Sequence, residues 1–345
     1  MTAPPGRLTA APPPRPPARG RIRGADVARY LAAALFTSFV AVPVLPDLFG
    51  LDRRSPFVQL VSMRPWLLVG VLAVVVLLGV VLVFERRVLP FAAGVLAVLV
   101  AGAGLVLPRA LPDPGAATGD PLRVLAFNAY EGDADADELA SVIEEHRPDV
   151  VAISESGPRF AEQIAERVEP LGYRVHVTTD DEDDDDVEEV TALVADRLGD
   201  VDVRVGDDTT TFPYIEVSGG ELGELRFVAF HSVAPVPGSV PDWNDDLALL
   251  PRWCSGPTPA VIAGDFNATL DHSALRAGAA GCADAAAQRG AGLIPTWSPS
   301  PRVRLFGPQI DHVFATDGIT AETFEVHDVA GSDHRAILTT LRLPG

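Results

Sequence analysis

The chain has 345 residues, and its 27 basic residues, all arginine, are outnumbered by 47 acidic ones, which gives a formal net charge of −20. Residues 1–107 hold 11 arginines against 4 acidic residues, whereas residues 108–345 hold 16 against 43 and carry a charge of −27. Duplex nucleic acid is bound largely through Lys and Arg side chains, so this composition disfavours it as a partner of the acidic part, which instead attracts divalent cations.

The N-terminal third of the chain is typical of a membrane protein. Residues 1–23 are rich in Pro, Ala and Arg, and we predict that they form a disordered cytoplasmic tail. Three apolar stretches of about bilayer-crossing length follow at 27–45, 66–84 and 88–107, and the last two contain no charged residue. The first stretch lacks a clean small-residue cleavage site, so we predict three transmembrane helices within residues 24–107 and not a signal peptide.

The flanking arginines predict the orientation of these spans. With the N-terminus in the cytoplasm, eight arginines flank the spans on the cytoplasmic side and four on the other, as the positive-inside rule requires. Three spans then place everything after residue 107 outside the cytoplasm. The predicted protein is a multi-pass protein of the cell membrane whose partner is the lipid bilayer, and no protein partner is inferred.

Residues 108–120 read as a short linker rich in Pro, Gly and Ala, and residues 121–345 as one α/β domain. Many strands with interspersed helices in about 225 residues predict a two-sheet α/β sandwich. The predicted strands span 123–128, 150–155, 174–178, 190–195, 214–217, 226–231, 260–265, 311–315 and 335–341. The predicted helices span 136–146, 158–168, 242–252 and 272–280.

Two further features of this domain have alternative interpretations. The acidic run 180–186, with Glu188 and Glu189, is predicted to be a solvated loop, because it lacks the glycine and the alternation of an EF-hand calcium loop. Cys254 and Cys282, the only cysteines, are either two buried small side chains or a disulfide. The predicted extracytoplasmic location favours the disulfide.

Polar residues follow several of the predicted apolar strands, at the place where ligand sites of α/β sheets gather. Any one of them alone is more often a capped turn or a satisfied buried group. Together they provide carboxylates for a hard cation, a carboxylate able to act on water, imidazoles, and uncharged carboxamides that bind oxyanions. These residues are Asn128, Glu155, His231, Asp265, Asn267, Asp311, Asp333 and His334.

This set is the one that metal-assisted attack of water on phosphorus requires, and other catalytic classes lack their motifs. The sequence contains no Gly-x-Ser-x-Gly elbow, no Walker loop, no Cys-x-x-Cys pair and no His-Glu-x-x-His. Serine-type hydrolysis and structural zinc are therefore disfavoured.

The motifs, taken in chain order, resemble the endonuclease/exonuclease/phosphatase superfamily over residues 121–345. The resemblance implies a four-layered α/β sandwich, with two β-sheets flanked by helices, and hydrolysis of phosphoesters with Mg²⁺ or Mn²⁺. It rests on Val124–Asn128, Asp149–Glu155, Phe230-His231, Gly264–Thr269, Thr296-Trp297, Ile310–Phe314 and Ser332–Arg335.

For the metal, the resemblance implies that Glu155 is the main ligand, with Asn128 and Asp333 beside it. The remaining roles concern the reaction itself.

Asp265 is implied to orient or deprotonate the attacking water, and Asn267 to hold the scissile phosphate. His334, paired with Asp311, contacts the phosphate or acts as the base, while His231 stabilises the transition state or assists the leaving group. His312 is expected to be structural.

The three spans resemble those of the membrane-bound bacterial members, including the glycopeptide-resistance phosphatases. We therefore predict a lipid-linked phosphate or pyrophosphate as the substrate. One alternative is an extracellular nuclease or phosphodiesterase, which the acidic charge disfavours. A catalytically silent binding domain is the other.

Overall fold

The computed structural model describes residues 24–113, 117–179 and 186–344, so the predicted tail at 1–23 and most of the acidic run lie outside the described residues. The N-terminal part contains helices α1 (Gly24–Val44), α2 (Phe57–Ser62), α3 (Arg64–Phe84) and α4 (Leu89–Val106). Helices α1, α3 and α4 are long and apolar enough to cross a membrane, as predicted.

The short helix α2 between the first two spans was not predicted. It begins after Pro56, which cannot continue a preceding helix, and two of its valines are fully buried at helical spacing. Val58 packs in the same apolar cluster as Trp243 of the C-terminal domain. Contact with that domain, and not intrinsic propensity, explains a helix of only six residues.

The predicted linker at 108–120 makes specific contacts with the C-terminal domain. Leu107–Ala110 forms a 3₁₀ turn, Pro112 forms a bridge with Arg289, and the first strand already begins at Asp120. Arg109 pairs with the buried carboxylate of Asp271 at 2.8 Å, which holds this segment against the domain. Arg109 and Pro112 therefore attach the segment after α4 to the domain, while most of the segment's described residues are exposed.

The C-terminal domain contains twelve strands and six helices among the described residues. The strands are β1 (Asp120–Asn128), β2 (Val150–Ser154), β3 (Tyr173–Val177), β4 (Val190–Ala195), β5 (Val201–Gly206), β6 (Tyr214–Gly219), β7 (Arg226–His231), β8 (Ala260–Asp265), β9 (Cys282–Asp284), β10 (Asp311–Thr316), β11 (Thr320–Asp328) and β12 (Arg335–Leu343). The helices are α5 (Ala136–His146), α6 (Pro158–Val168), α7 (Val240–Leu247), α8 (Pro251–Cys254), α9 (Ser273–Gly278) and α10 (Ala285–Gln288).

All nine predicted strands are present, whereas β5, β9 and β11 were missed. The helix predicted at 242–252 is in fact two helices, because Pro251 has no amide hydrogen to continue α7 and instead begins α8. The helix predicted at 272–280 is shorter and spans Ser273–Gly278.

The strands form two six-stranded sheets, in the orders β11-β12-β1-β2-β4-β3 and β5-β6-β7-β8-β10-β9. Each sheet has one parallel pair, β1 with β2 and β7 with β8, and antiparallel neighbours elsewhere. The ends of four neighbouring central strands are therefore brought together at one edge of the sandwich.

Alternation along β1 shows how the layers are built. Val124 and Ala126 face the cluster between the two sheets, whereas Leu125 and Phe127 face the helices α5 and α6. The other sheet is covered on its outer side by α7, α8 and α9. The predicted four-layered α/β sandwich is confirmed.

The described end of the acidic run corrects one prediction and the cysteines confirm another. Asp186 is not solvated: its carboxylate accepts hydrogen bonds from the amides of Gly157 and Phe160 at the start of α6. Exposed amides at a helix N-terminus explain why an acidic side chain is buried there. Cys254 and Cys282 form a disulfide.

A buried charge cluster joins the spans to the domain. Arg64, at the first turn of α3, is fully buried and pairs with both Asp47 and Asp271, the latter at 2.7 Å. Each carboxylate has a second partner, since Arg276 lies 3.0 Å from Asp47 and Arg109 lies 2.8 Å from Asp271. Three arginines thus share two buried carboxylates, which balances most of the charge that the junction buries.

Candidate active site

The sheet register brings all eight predicted site residues to one edge of the sandwich. Asn128 ends β1 opposite Ser154, and Glu155 follows directly after β2. In the second sheet Asp265 ends β8 and is paired with both His231 of β7 and Asp311 of β10. The loop before β12 adds Asp333 and His334, and Asn267 follows β8.

Glu155 is fixed by hydrogen bonds to both of its carboxylate oxygens. The side chain of Asn128 donates to Oε1 at 2.9 Å, and the amide of Glu131 donates to Oε2 at 2.8 Å. Burial raises the pKa of Glu155, and these hydrogen bonds oppose the rise. The residue also has a φ of 51°, an uncommon conformation that the surrounding contacts must maintain.

Asn128 bridges the two sheets. Its side-chain nitrogen donates to Glu155 and, at 3.0 Å, to Asp265, while its side-chain oxygen accepts from the amide of Tyr130. Asn128 therefore lies beside the predicted metal ligands and joins two carboxylates, while its oxygen accepts one hydrogen bond.

Asp265 lies at the centre of the site and is almost completely buried. Burial raises its pKa, and the negative charge of Asp311 adds to the rise, whereas His334 opposes it. The preceding residue must be glycine, because a Cβ on Gly264 would lie 1.9 Å from the carbonyl oxygen of Phe230, and its φ is +144°. Because Gly264 has no side chain, the end of β8 can pack closely against the backbone of β7.

His334 and Asp311 form a buried pair. Nδ1 of His334 lies 2.9 Å from Oδ2 of Asp311, and its Nε2 points toward Asp265 at 3.7 Å. Burial alone would lower the pKa of His334, but the charges of Asp311 and Asp265 outweigh it, and the pKa is raised. This geometry orients the imidazole and favours its protonated form.

His231 differs from His334 in its surroundings. Its ring stacks on Phe212 at a centroid distance of 4.3 Å, and its Nδ1 has no hydrogen-bond partner among the described residues. Burial lowers the pKa of His231 to about 3, and the nearby positive charge of His334 adds to the effect. His231 is therefore a neutral imidazole with one nitrogen available.

Asn267 and Asp333 complete the edge of the site. Asn267 has a φ of 46°, its amide donates to Asp265 at 2.7 Å, and its side-chain nitrogen donates to the carbonyl of Ser232. Asp333 accepts a hydrogen bond from the indole of Trp297 at 2.7 Å, while its other oxygen, Oδ1, accepts none among the described residues and lies 3.9 Å from Nε2 of His334.

The donor set fits a divalent cation. Glu155, His231 and Asp265 each offer a ligand atom, and these atoms lie within 4.8 Å of one another. Oδ1 of Asp333 points the same way, because a buried carboxylate oxygen that accepts no hydrogen bond is stabilised by a nearby cation. Carboxylate oxygens are the ligands that Mg²⁺ and Mn²⁺ prefer.

His312, expected to be structural, lies outside this set. Its two ring nitrogens contact Asp284 at 2.8 Å and the carbonyl of Ala268 at 2.9 Å, and it is buried.

Two contacts at the site, made by Trp297 and Thr296, were not predicted. The indole of Trp297 reaches Asp333, and the hydroxyl of Thr296 accepts from the amide of Asp311. The Thr296-Trp297 pair was visible as a motif, but its partners were not.

A cavity of about 560 Å³ opens above these residues. Its floor includes Glu155, His231, Asp265, Asp333 and His334. A sandwich of two mixed sheets with carboxylates, imidazoles and carboxamides converging under one cavity defines the class of α/β phosphoester hydrolases.

The sequence profile of the Endonuclease/Exonuclease/phosphatase family matches residues 125–334, and the chain belongs to this family. The protein is accordingly a phosphoester-hydrolysing enzyme, and enzymes of this family depend on a divalent metal. No curated protein sequence matches the chain.

Solved structures show the same fold. TDP2 from D. rerio, humanised by 14 mutations, is 18% identical, with a TM-score of 0.52 over 64% of this chain and 99% of that chain. Truncated TDP2 from Caenorhabditis elegans is 15% identical, with a TM-score of 0.51 over 64% and 97%. A family protein from Bacteroides thetaiotaomicron is 14% identical, with a TM-score of 0.50 over 66% and 100%. Identities this low support the fold alone.

Proposed function

We propose that this protein is a membrane-anchored phosphohydrolase that uses a divalent metal, Mg²⁺ or Mn²⁺, to cleave a phosphoester or pyrophosphate bond of a lipid-linked phosphate outside the cytoplasm. The observation that carries the proposal is the position of the site. A phosphohydrolase edge lies on a domain that is packed, through Arg64 and Asp271, onto helices apolar enough to cross a bilayer. Such an enzyme meets substrates in the plane of the membrane.

Glu155 and Asp333 would hold the cation, with Asp265 and His231 close to it. A bound divalent cation supplies positive charge that polarises the phosphoryl group and neutralises charge on its oxygens. Asn128 keeps Glu155 and Asp265 in fixed relation through its two hydrogen bonds, which preorganises the site.

Asp265 would orient the attacking water and accept its proton, because burial makes its carboxylate more basic than an exposed one. His334, kept in position by Asp311, would donate a hydrogen bond to the phosphate. Asn267 would hold the scissile phosphate from the adjacent loop. His231 is neutral, so it would stabilise the reaction through a hydrogen bond to the phosphate or leaving oxygen and not through its own charge.

Three observations support a location outside the cytoplasm and a substrate other than a long polyanion. The arginines flanking the spans favour a cytoplasmic N-terminus, and an odd number of spans then places the domain on the other side. The disulfide between Cys254 and Cys282 is typical of an oxidising compartment. The charge of −27 on residues 108–345 repels nucleic acid.

The test is phosphate release by the full-length protein in detergent with Mg²⁺, using a polyprenyl pyrophosphate, nucleotides and plasmid DNA in parallel. We expect release from the lipid and a loss of about 100-fold or more in Asp265→Asn, because the carboxylate that acts on water is removed. Unchanged release by Asp265→Asn would contradict the assignment of this residue. Nicking of DNA without lipid hydrolysis would favour the nuclease, and no hydrolysis of any phosphoester would favour a silent binding domain.

A further inference from the structure

One side of the active-site cavity is formed by a segment from outside the catalytic domain, namely α2 and Met63, which lie between α1 and α3. The residues Val58, Gln59, Ser62 and Met63, from α2 and the turn after it, line the same cavity as Glu155 and Asp265. The cavity is therefore completed by the connection between α1 and α3, and a domain cut at residue 121 would lack one wall.

Specific contacts hold α2 in this place. The side chain of Gln59 donates to the carbonyl of Pro235 at 2.6 Å, and Nε2 of His272 lies 2.9 Å from the carbonyl of Val58. Val58 itself is fully buried in the cluster that contains Trp243. Helix α2 is thus packed as part of the domain and is not a loose loop above it.

The two sides of the cavity differ in chemistry. The floor carries the carboxylates and imidazoles described above, whereas the side formed by Met63 and the loop after β7 is mainly apolar. Val236, at 52% exposure, lies on this apolar side and is open to solvent. The apolar members on this side are Met63, Val233, Ala234, Pro235 and Val236.

This division matches an amphiphile whose phosphate lies on the floor and whose hydrocarbon lies along the wall. Helix α2 is joined directly to α3 through Met63, so the apolar side of the cavity lies next to the start of a predicted span. A hydrocarbon chain that leaves the cavity along this wall therefore enters the bilayer without crossing water, which apolar surface avoids. A small soluble phosphoester would make no use of the wall.

We propose that the wall formed by Met63, at the end of α2, and the loop after β7 is a binding site for the hydrocarbon adjoining the phosphate of a membrane lipid. This inference rests on the proposed function. Met63 is the key residue, since it is partly exposed to the cavity and belongs to neither the catalytic floor nor the buried core. A charged side chain at this position would have to be desolvated beside the hydrocarbon.

The experiment compares a long-chain polyprenyl pyrophosphate with methyl pyrophosphate, a short substrate whose single carbon cannot extend along the wall, as substrates of the full-length protein in nanodiscs. We expect Met63→Glu to lower kcat/KM for the long chain roughly tenfold more than for the short one. Met63→Leu keeps an apolar side chain and should retain the preference for the long chain. Leu48→Glu is the matched control, because Leu48 is 64% exposed in the same connection and does not line the cavity.

Equal losses on both substrates, or no loss on either, would overturn the role of the wall while leaving the proposed function intact. A wild-type protein that cleaves the short pyrophosphate but not the long one would instead overturn the proposed function. A second measurement does not depend on turnover or on the folding of Met63→Glu. A long-chain analogue with a photoreactive group on its first carbons should label the peptide containing residues 57–63 in the Asp265→Asn protein, and labelling confined to other peptides would reject the wall.

Discussion

Replacing Trp297 by phenylalanine tests whether Asp333 serves the metal. The indole nitrogen of Trp297 donates to Asp333 at 2.7 Å, so Trp297→Phe removes one hydrogen bond to a carboxylate and keeps an aromatic ring. A hydrogen bond to a charged group is worth about 1.5–3 kcal/mol, which corresponds to about 10- to 150-fold in an equilibrium constant. Loss of a residue that supports a metal ligand typically weakens metal binding by about 10–100-fold.

The assay is phosphate release as a function of Mg²⁺ concentration. We expect Trp297→Phe to need about tenfold or more Mg²⁺ for half-maximal activity, with most of the activity restored when the metal is saturating. Trp253→Phe is the matched control, because its indole donates to the carboxylate of Glu216 at 2.9 Å, outside the catalytic edge. An unchanged Mg²⁺ requirement in Trp297→Phe, or an equal shift in Trp253→Phe, would refute the reasoning.

Three further predictions concern stability, measured as thermal unfolding of the detergent-solubilised protein. Arg64→Leu leaves two buried carboxylates with one partner each and should lower the free energy of unfolding by about 3 kcal/mol. Arg87→Leu is the control, because the Arg87 side chain is 81% exposed and its loss should have little effect; equal melting temperatures for the two variants would contradict the role of the cluster. Removing the disulfide by Cys254→Ser should cost about 3–4 kcal/mol for a loop of this length, and an unchanged melting temperature would argue against the bond. Gly264→Ala should destabilise the folded protein strongly, because the added Cβ would overlap the carbonyl oxygen of Phe230, whereas a Cβ added at Gly104 meets no atom. A Gly264→Ala protein as stable as Gly104→Ala would refute that contact.

The strand ends were predictable because their signal is local. An apolar run followed by a polar residue, as in Phe127-Asn128 or Gly264-Asp265, identifies both a buried strand and the place where it stops. The order of the motifs predicted the fold, and the fold places these strand ends at one edge of the sandwich. The missed strand β5 also had a local signal, since Val201, Val203 and Val205 alternate with polar residues.

The junction with the spans could not be predicted, because its signal is not local. Arg64 looked like an ordinary flanking arginine, and its partner Asp271 is 207 positions away in the sequence. Helix α2 is too short to be recognised by its periodicity, and its position depends on contacts with Pro235 and His272. The bridging role of Asn128 likewise required the distance between the two sheets.

The buried arginine cluster has a consequence for how the proposed membrane enzyme would meet its substrate. We propose that, with α1, α3 and α4 inserted in a bilayer, Arg64 at the start of α3 and Arg109 after the end of α4 hold the catalytic edge at a constant height above the lipid surface. The active site of a protein on a long flexible tether reaches many heights above the membrane, whereas a rigidly attached active site stays within a thin layer. Its turnover should therefore depend on the surface density of substrate in the membrane, and not on the bulk concentration of the same molecule.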